Sequence, residues 1–156
     1  MSANAVKAIV IYSTKGGNTR KVAEEIASEL NCELAKIDHD SSTSAVDLSS
    51  YDFVFVGTGI YFGTLNPDMQ RYLETIDLKN AKQFAFFVTW GGAGKTDQAV
   101  ITKLKAILEN KGQKVIEECF KCYGGRRFAL SKRGHPNNED TQAAKKWAKK
   151  QINNIN

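Results

Sequence analysis

The sequence predicts an α/β fold in which a doubly wound parallel sheet of five strands carries helices on both faces. Short apolar runs alternate with longer amphipathic segments along the chain, and each return to a parallel strand needs a crossover of roughly a dozen residues. The runs at 53–56 and 84–88 are apolar without alternation, as in strands that are buried on both sides. The length of 156 residues fits one domain spanning residues 1–156.

The first part of the chain predicts two strands around one helix. Residues 6–12 form the first apolar run, and residues 32–37 form the second. Asn18 or Thr19 is placed to cap the helix between them, which ends near Leu30 and has apolar side chains at every fourth position.

The middle of the chain predicts two buried strands and a second helix. The third strand, at 53–56, leads into a Gly-rich loop at 57–64. Asn66 is placed to cap a helix whose first residue is Pro67, because the fixed φ of proline suits the first helical turn. Residues 84–88 predict the fourth strand.

The last part predicts two helices around an edge strand. One helix opens at Asp97 and ends at Lys111-Gly112. Residues 115–120 predict the fifth strand, in which charged residues mix with apolar ones as at a sheet edge. A loop with Gly, Pro and Asn follows, and residues 139–152 predict the last helix.

The formal net charge is +5, and the excess lies in the C-terminal part of the chain. Residues 1–120 contain 13 basic and 15 acidic residues, whereas residues 121–156 contain 9 basic and 2 acidic ones. One predicted loop and one predicted helix hold Arg126, Arg127, Lys132, Arg133, Lys145, Lys146, Lys149 and Lys150. Few aromatic residues lie among them, which argues against a nucleic-acid partner. They form either a solvated basic face or a docking surface for an acidic protein.

Three cysteines, an odd number, predict reduced thiols in the cytoplasm rather than a disulfide framework. The chain shows no leader pattern and its longest apolar runs are strand-length, so we expect neither export nor membrane insertion. Cys119 and Cys122 have the spacing of a thiol-redox or metal pair, but His39 and His135 are isolated from them. We therefore predict two small buried side chains at a strand end and no metal site.

Ligands of open α/β sheets bind beyond the carboxyl ends of the strands. Hydroxyls, glycines and a helix start follow the first strand at 13–19, which favours a phosphate over a simple capped turn. After the third strand, Tyr61 and Phe62 lie between glycines and favour a stacking platform for a planar ligand. After the fourth strand, Trp90 precedes a run of glycines and either borders the ligand or closes the top of the core.

A competing motif, Gly94-Lys95-Thr96, resembles the end of a P-loop. Thr89 stands where that motif requires a glycine five residues earlier, and no later apolar strand ends in a magnesium-binding Asp. A P-loop-like nucleotide-binding module is therefore the less favoured interpretation. No Cys/His or Ser/His/Asp arrangement can be argued from the spacing, so we predict no catalytic side chain.

The loop Thr14-Lys15-Gly16-Gly17-Asn18-Thr19 resembles the phosphate loop of the flavodoxin family, T-x-T-G-x-T, with a glycine in place of the middle Thr. Tyr61 is similar in position to the Trp that stacks on the flavin in that family, and the resemblance covers nearly the whole chain. It implies a flavodoxin-like sheet with strand order 2-1-3-4-5. It also implies noncovalent FMN, with its phosphate on residues 13–19 and its isoalloxazine edge between residues 58–63 and 89–92.

The cofactor-binding residues that the resemblance implies are Ser13, Thr14, Lys15, Gly16, Gly17, Asn18, Thr19, Thr58, Gly59, Ile60, Tyr61, Phe62, Gly63, Thr89, Trp90, Gly91 and Gly92. In the family a peptide of the third-strand loop turns over to accept a hydrogen bond from the reduced flavin, and Phe62–Gly63 is the corresponding peptide here. The aromatic residue that usually covers the second flavin face has no counterpart among residues 91–94. Trp90 or Tyr123 takes its place, or that face is open.

The resemblance implies a low-potential electron carrier, and not an enzyme, that passes single electrons from a reductase or ferredoxin-linked donor to an acceptor enzyme. Arg126, Arg127, Lys132 and Arg133 are then a docking surface for an acidic partner. Lys15 and the basic tail should oppose flavin reduction less than the acidic surfaces typical of the family. The alternative is a flavin enzyme, such as an NAD(P)H or quinone reductase or a relative of the flavodoxin-domain protoporphyrinogen oxidases, which tend to be basic.

Overall fold

The computed structural model describes residues 5–39, 46–61, 63–92, 95–124 and 134–155. The strands are β1 (Ala8–Ser13), β2 (Glu33–Lys36), β3 (Phe53–Tyr61), β4 (Thr64–Leu65), β5 (Gln83–Trp90), β6 (Lys114–Val115) and β7 (Phe120–Tyr123). The helices are α1 (Asn18–Leu30), α2 (Pro67–Thr75), α3 (Thr96–Glu109) and α4 (Asn138–Asn153). Within the described residues, no helix has both the length and the apolar character needed to cross a bilayer.

The sheet has the predicted parallel order. Strands β2, β1, β3 and β5 are parallel neighbours in that order, and β6 and β7 both pair with β5 at the far edge. The short strand β4 turns back antiparallel against the end of β3. With β4 set aside and β6 and β7 taken as one broken strand, the observed order is the predicted 2-1-3-4-5.

Helices cover both faces of the sheet. Alternate residues of a strand point to opposite faces, and the two apolar clusters follow this period. Val54 and Phe86 belong to the cluster under α2 and α3, whereas Phe55 and Phe87 belong to the cluster under α1 and α4. Trp147 anchors α4 in the second cluster, with its ring centroid 5.5 Å from that of Phe55 and 6.4 Å from that of Phe87.

Strand β3 is longer than the sequence predicts, because it continues through the predicted loop as far as Tyr61. Gly57 makes room for the neighbouring strand: a Cβ atom there would collide with the ring of Phe87. Beyond Tyr61 the chain reverses into β4, where Thr64 pairs with it. The prediction of a loop is wrong over 57–61, because glycines that usually weaken a strand here accommodate large side chains.

The predicted fifth strand, 115–120, is broken into β6 and β7. Glu117 and Glu118 lie in the gap, and their side chains turn to opposite faces of the sheet. Glu117 pairs with Lys105 of α3 at 2.7 Å, and Glu118 pairs with Lys150 of α4 at 2.9 Å. The two side chains thus face different helices, and pairing with β5 resumes only in β7.

One of the two predicted helix caps is confirmed. The Asn66 side chain accepts a backbone N–H at the start of α2, and Pro67 is the first residue of that helix. The cap position of α1 is instead Gly17, with a φ of 90° and no side-chain cap bond. Asn18 and Thr19, the residues predicted to cap α1, both lie inside the helix, so that prediction is wrong.

A buried carboxylate joins α3 to β7. The side chain of Asp97 is only 6% exposed, and its Oδ2 atom lies 2.7 Å from Lys121 Nζ. Burial raises the pKa of Asp97, but hydrogen bonds from Lys121 and from the backbone N–H of Gln98 outweigh it and hold the pKa below its usual value. The carboxylate is therefore ionised at neutral pH, and it lies at the positive end of the α3 dipole.

We expect Gly57→Ala to lower the free energy of unfolding by about 1–3 kcal/mol, because the added methyl must displace the fully buried ring of Phe87. Urea denaturation measures this change. Gly16→Ala is the matched control, since a Cβ atom there meets nothing within 4 Å, and its effect should stay within ~0.5 kcal/mol. Equal stability of the two variants would contradict the packing argument.

We expect Lys121→Met to destabilise the protein by roughly 1.5–3 kcal/mol at neutral pH, because Asp97 keeps its buried charge and loses its partner. Since the folded pKa of Asp97 is depressed, the stabilisation is present above about pH 4 and is lost as the pH falls through the folded pKa. Urea denaturation at a series of pH values should therefore show the two proteins converging in acid. A difference that is constant with pH would argue against this role of Asp97.

Candidate functional site

The loops predicted to bind a ligand meet at one edge of the sheet. Strands β1, β3 and β5 are parallel neighbours, so their carboxyl ends lie side by side. The N–H of Lys15 donates to Tyr61 Oη at 2.9 Å, and the hydroxyl oxygens of Thr19 and Thr89 lie 2.8 Å apart. The structure thus brings the predicted phosphate loop together with the ends of β3 and β5.

The loop between β1 and α1 is open at its centre. Gly16 and Gly17 are exposed, and a Cβ atom at either position would meet nothing within 4 Å. Thr14 holds the turn by accepting the N–H of Gly17 on its Oγ1 atom at 2.9 Å. The Thr14 hydroxyl therefore holds the turn, and the backbone at Gly16 and Gly17 is accessible to a ligand.

The charge at the start of α1 favours an anion. The helix begins with no side-chain cap and no acidic residue in its first turn, where Arg20 and Lys21 stand instead. Arg20 pairs with Glu24 at 3.5 Å, and the Lys21 ammonium donates to the carbonyl of Pro136 at 2.6 Å, so both side chains also have partners within the protein. Helices α2, α3 and α4 each have an acidic residue in the first turn. Because the N-terminal end of a helix is partially positive, cations there add to a field that a bound anion would stabilise. The sequence already contained this signal at Arg20 and Lys21, and our sequence reasoning missed it.

Several predicted site hydroxyls are bonded inside the protein. Ser13, Thr19, Thr58 and Thr89 are at most 4% exposed. The hydroxyl of Ser13 donates to the carbonyl of Ile37 at 2.8 Å, and the hydroxyl of Thr58 donates to the carbonyl of Gly59 at 2.9 Å. These side chains fix the strand ends, so a ligand reaches their residues only through the backbone or after these bonds change.

Tyr61 borders the site on the side of β3. Its side chain folds back over Gly59, where a Cβ atom would lie 2.5 Å from the phenol oxygen. The phenol oxygen accepts the Lys15 N–H, and the Lys15 ammonium lies 4.9 Å from the centroid of the ring. Tyr61 therefore contacts the phosphate loop directly, a contact that the sequence did not predict. Its stacking on a planar ligand stays a prediction.

An aromatic pair borders the site on the side of β5 and β7. Trp90 and Tyr123 are paired residues at the ends of these strands, and their rings stack with centroids 6.3 Å apart and an interplanar angle of 22°. Gly124 follows and packs on Asn18, so that a Cβ atom there would lie 2.9 Å from the amide nitrogen. His135, isolated in the sequence, packs edge-to-face with Tyr123, and the two ring centroids lie 5.8 Å apart. This wall thus connects β7 to the start of α1.

The remaining predicted residues lie in the core, near the strand ends or in segments not described. Ile60 is buried in the core, and Gly91 and Gly92 are half-buried at the end of β5. Gly63 has a φ of 80°, a conformation that favours glycine. The predicted positions outside the described residues are Phe62, Arg126, Arg127, Lys132 and Arg133.

The lysines of α4 are neutralised by a neighbouring helix. Lys145 pairs with Glu25 at 3.3 Å and Lys149 pairs with Glu29 at 3.4 Å, both across the packing of α4 against α1. Exposed ion pairs of this kind add little stability, but they cancel charge locally. The predicted basic face of the last helix is therefore largely an ion-paired face.

The cysteines show no sign of reactive chemistry. Burial raises the pKa of Cys32 to about 11 and that of Cys122 to about 12, and it also raises the pKa of Cys119. These thiols stay protonated at neutral pH, which disfavours a nucleophilic role. Among the residues that the structure describes, no three His, Cys, Asp or Glu side chains are grouped to hold a metal ion.

Comparison with known sequences identifies a family. The flavodoxin domain model matches residues 9–128. An uncharacterized protein from Methanocaldococcus jannaschii is 31% identical over 156 residues, which cover 96% of this chain and 100% of that protein. The flavodoxin-like domain-containing protein BilS from Clostridioides difficile is 30% identical over 122 residues, which cover 76% of this chain and 66% of that protein.

Solved structures share the fold. A WrbA-like flavodoxin from Agrobacterium tumefaciens has a TM-score of 0.78 and 15% identity, with 96% of each chain covered. A rubredoxin oxygen:oxidoreductase from Desulfovibrio gigas has a TM-score of 0.70 and 18% identity, with 95% of this chain and 35% of that chain covered. A Lactobacillus acidophilus flavoprotein in complex with FMN has a TM-score of 0.58 and 22% identity, with 76% of this chain and 93% of that chain covered.

At these identities the structural likeness establishes the fold, and the sequence match establishes the family. The matched residues 9–128 include β1, the loop that follows it and the strand ends that surround it. The chain therefore belongs to the flavodoxin domain family.

Proposed function

We propose that this chain binds FMN noncovalently and carries electrons between redox enzymes in the cytoplasm. The proposal is supported above all by the loop after β1, which combines exposed glycines with an uncapped helix start that has no acidic residue in its first turn. A phosphate ester suits such a set of donors and charges. Membership of the flavodoxin domain family supports a flavin as the rest of the ligand, and the free cysteines support a reducing compartment.

The aromatic residues around the loop suit a flat ring system. The ring of Tyr61, with the Lys15 ammonium 4.9 Å from its centroid, is the aromatic surface on which a planar ligand would stack. Trp90 is a second aromatic residue at the carboxyl end of the sheet, where it stacks on Tyr123 and packs against the cluster under α2 and α3. Gly91 and Gly92 have no side chains to keep the backbone away from the polar edge of the ring.

Bound FMN would supply the redox chemistry, because it accepts and releases electrons. The residues of the chain bind it, orient it and set the electrostatic field around it. Lys15 places a positive charge beside Tyr61, and a positive charge near the ring favours the more negative reduced form. We therefore expect Lys15 to ease reduction.

A second candidate is a flavin enzyme, either an NAD(P)H or quinone reductase or a relative of the flavodoxin-domain protoporphyrinogen oxidases. The formal net charge of +5 favours it, since flavodoxins are typically acidic. The oxidoreductase from Desulfovibrio gigas also has this fold, although this chain covers only 35% of it. We rank the carrier first, because the chain has no long insertion at the site to enclose a second bulky substrate.

We expect the purified protein to quench the fluorescence of FMN at micromolar concentrations. Tyr61→Ala should weaken FMN binding by ~1 kcal/mol or more, at least about fivefold in Kd, because one face of the flavin ring loses its aromatic contact. Tyr51→Ala is the matched control: Tyr51 also has a lysine over its ring, Lys7 at 4.8 Å, but it lies just before β3, at the opposite end of the sheet.

Failure to quench FMN fluorescence would refute the proposed cofactor. Equal weakening in Tyr61→Ala and Tyr51→Ala would refute the ring contact of Tyr61. The same preparation separates the carrier from the enzyme. Without a protein partner, the carrier should not sustain NAD(P)H oxidation by quinones, and steady turnover would favour the enzyme instead.

The partner should be acidic, because residues 124–134 contain four basic residues and no acidic one. Charge reversal in the double variant Arg126→Glu, Arg127→Glu should slow electron transfer from a reductase or ferredoxin-linked donor about tenfold at low salt. The wild-type rate should also fall steeply as salt is added. Lys146→Glu, the same type of change on the exposed side of α4, is the control in stopped-flow measurements. Rates that do not respond to salt would reject this docking surface.

A further inference from the structure

Two hydroxyl groups hold the phosphate loop from two different strands. At the end of β3, Tyr61 Oη accepts the backbone N–H of Lys15 at 2.9 Å. In β5, the hydroxyl oxygen of Thr89 lies 2.8 Å from that of Thr19, in the first turn of α1. One bond therefore reaches the loop just before its glycines, and the other reaches the helix just after them.

Neither hydroxyl is placed as a direct ligand to a flavin ring. Thr89 is 4% exposed and Thr19 is 1% exposed, so their hydroxyls face each other inside the protein. The Tyr61 side chain is folded back along its own strand over Gly59, which brings its phenol oxygen to the loop. The hydroxyl of Tyr61 is therefore engaged with the loop.

The segment between these two bonds needs outside support. Gly16 and Gly17 are exposed, and a Cβ atom at either position would meet nothing within 4 Å. Gly17 has a φ of 90°. Glycines have more conformational freedom to lose than other residues. A loop held at both ends loses less of that freedom when a phosphate binds, and preorganisation of this kind raises affinity.

We infer that the Tyr61 and Thr89 hydroxyls are positioning groups for the phosphate loop, and that they determine how strongly the chain prefers a phosphorylated flavin over the same flavin without phosphate. This inference rests on the proposed function. It divides the two parts of Tyr61: the ring serves the planar part of the ligand, and the hydroxyl serves the phosphate through Lys15. It also assigns Thr89 to the phosphate loop instead of the ring edge.

The test compares FMN with riboflavin, which has the same ring and no phosphate. Tyr61→Phe and Thr89→Val each remove one hydroxyl at nearly constant shape. Each should raise the Kd for FMN about threefold to tenfold and leave the Kd for riboflavin within about twofold. Thr89→Ser, which keeps the hydroxyl, should restore the wild-type ratio of the two Kd values. Thr75→Val, which removes a hydroxyl bonded to Arg71 O in α2, should leave both ligands unaffected.

Equal weakening for both ligands, or an unchanged Kd for FMN, would overturn the inference. If the wild-type protein binds FMN and the variants keep the wild-type ratio of the Kd values for FMN and riboflavin, this inference alone is overturned. Wild-type protein that binds neither ligand would overturn the proposed function and the inference together. If urea denaturation shows that Thr89→Val is not folded, Tyr61→Phe decides the question. Tyr61 is only half-buried, so this change should disturb the fold less.

Discussion

Helices cover both faces of the parallel sheet, and this constraint determines where polar side chains can lie and what they must do. The central strands are apolar until they approach their carboxyl ends, where Ser13, Thr58 and Thr89 are buried with their hydroxyls bonded. An unpaired buried hydroxyl costs about 1–3 kcal/mol, so these bonds are required wherever a strand end is polar. The same bonds make the strand ends rigid, and the open loop after β1 is built on that rigid edge.

Two glycines of β3 lie against large aromatic rings, and this packing extends from the core to the candidate site. Phe55, Gly57, Gly59 and Tyr61 are alternate residues of β3, so they share the face under α1 and α4. Gly57 accommodates the ring of Phe87, and Gly59 accommodates the phenol of Tyr61. Near its carboxyl end, β3 therefore has glycines where larger side chains would collide with the rings of Phe87 and Tyr61. The fold and the position of Tyr61 depend on the same pattern of small and large residues.

The order of elements could be predicted from the sequence, because burial on two faces leaves long apolar runs in β3 and β5 that periodicity detects. The site could be placed at the carboxyl ends by the same rule. The cap of α1 failed locally, because Gly17 takes the position predicted for Asn18 or Thr19. The strand bounds failed where they depended on contacts between distant residues. Nothing local indicates that Gly57 faces Phe87, or that Glu117 and Glu118 are drawn to different helices. The hydroxyls of the site were predicted by position, but their partners across the sheet could not be seen in one dimension.

The uneven charge of the chain takes on a different meaning in three dimensions. The C-terminal excess of basic residues looks like one surface in the sequence, yet Lys145 and Lys149 lie against Glu25 and Glu29 of α1 and are neutralised there. Acidic residues in the middle and last turns of α1 serve this pairing, whereas its first turn has none and carries cations. The two ends of α1 therefore differ in charge for different reasons. Its middle and last turns pair with the lysines of α4. Its first turn has the positive end of the helix dipole, which points at the open loop after β1.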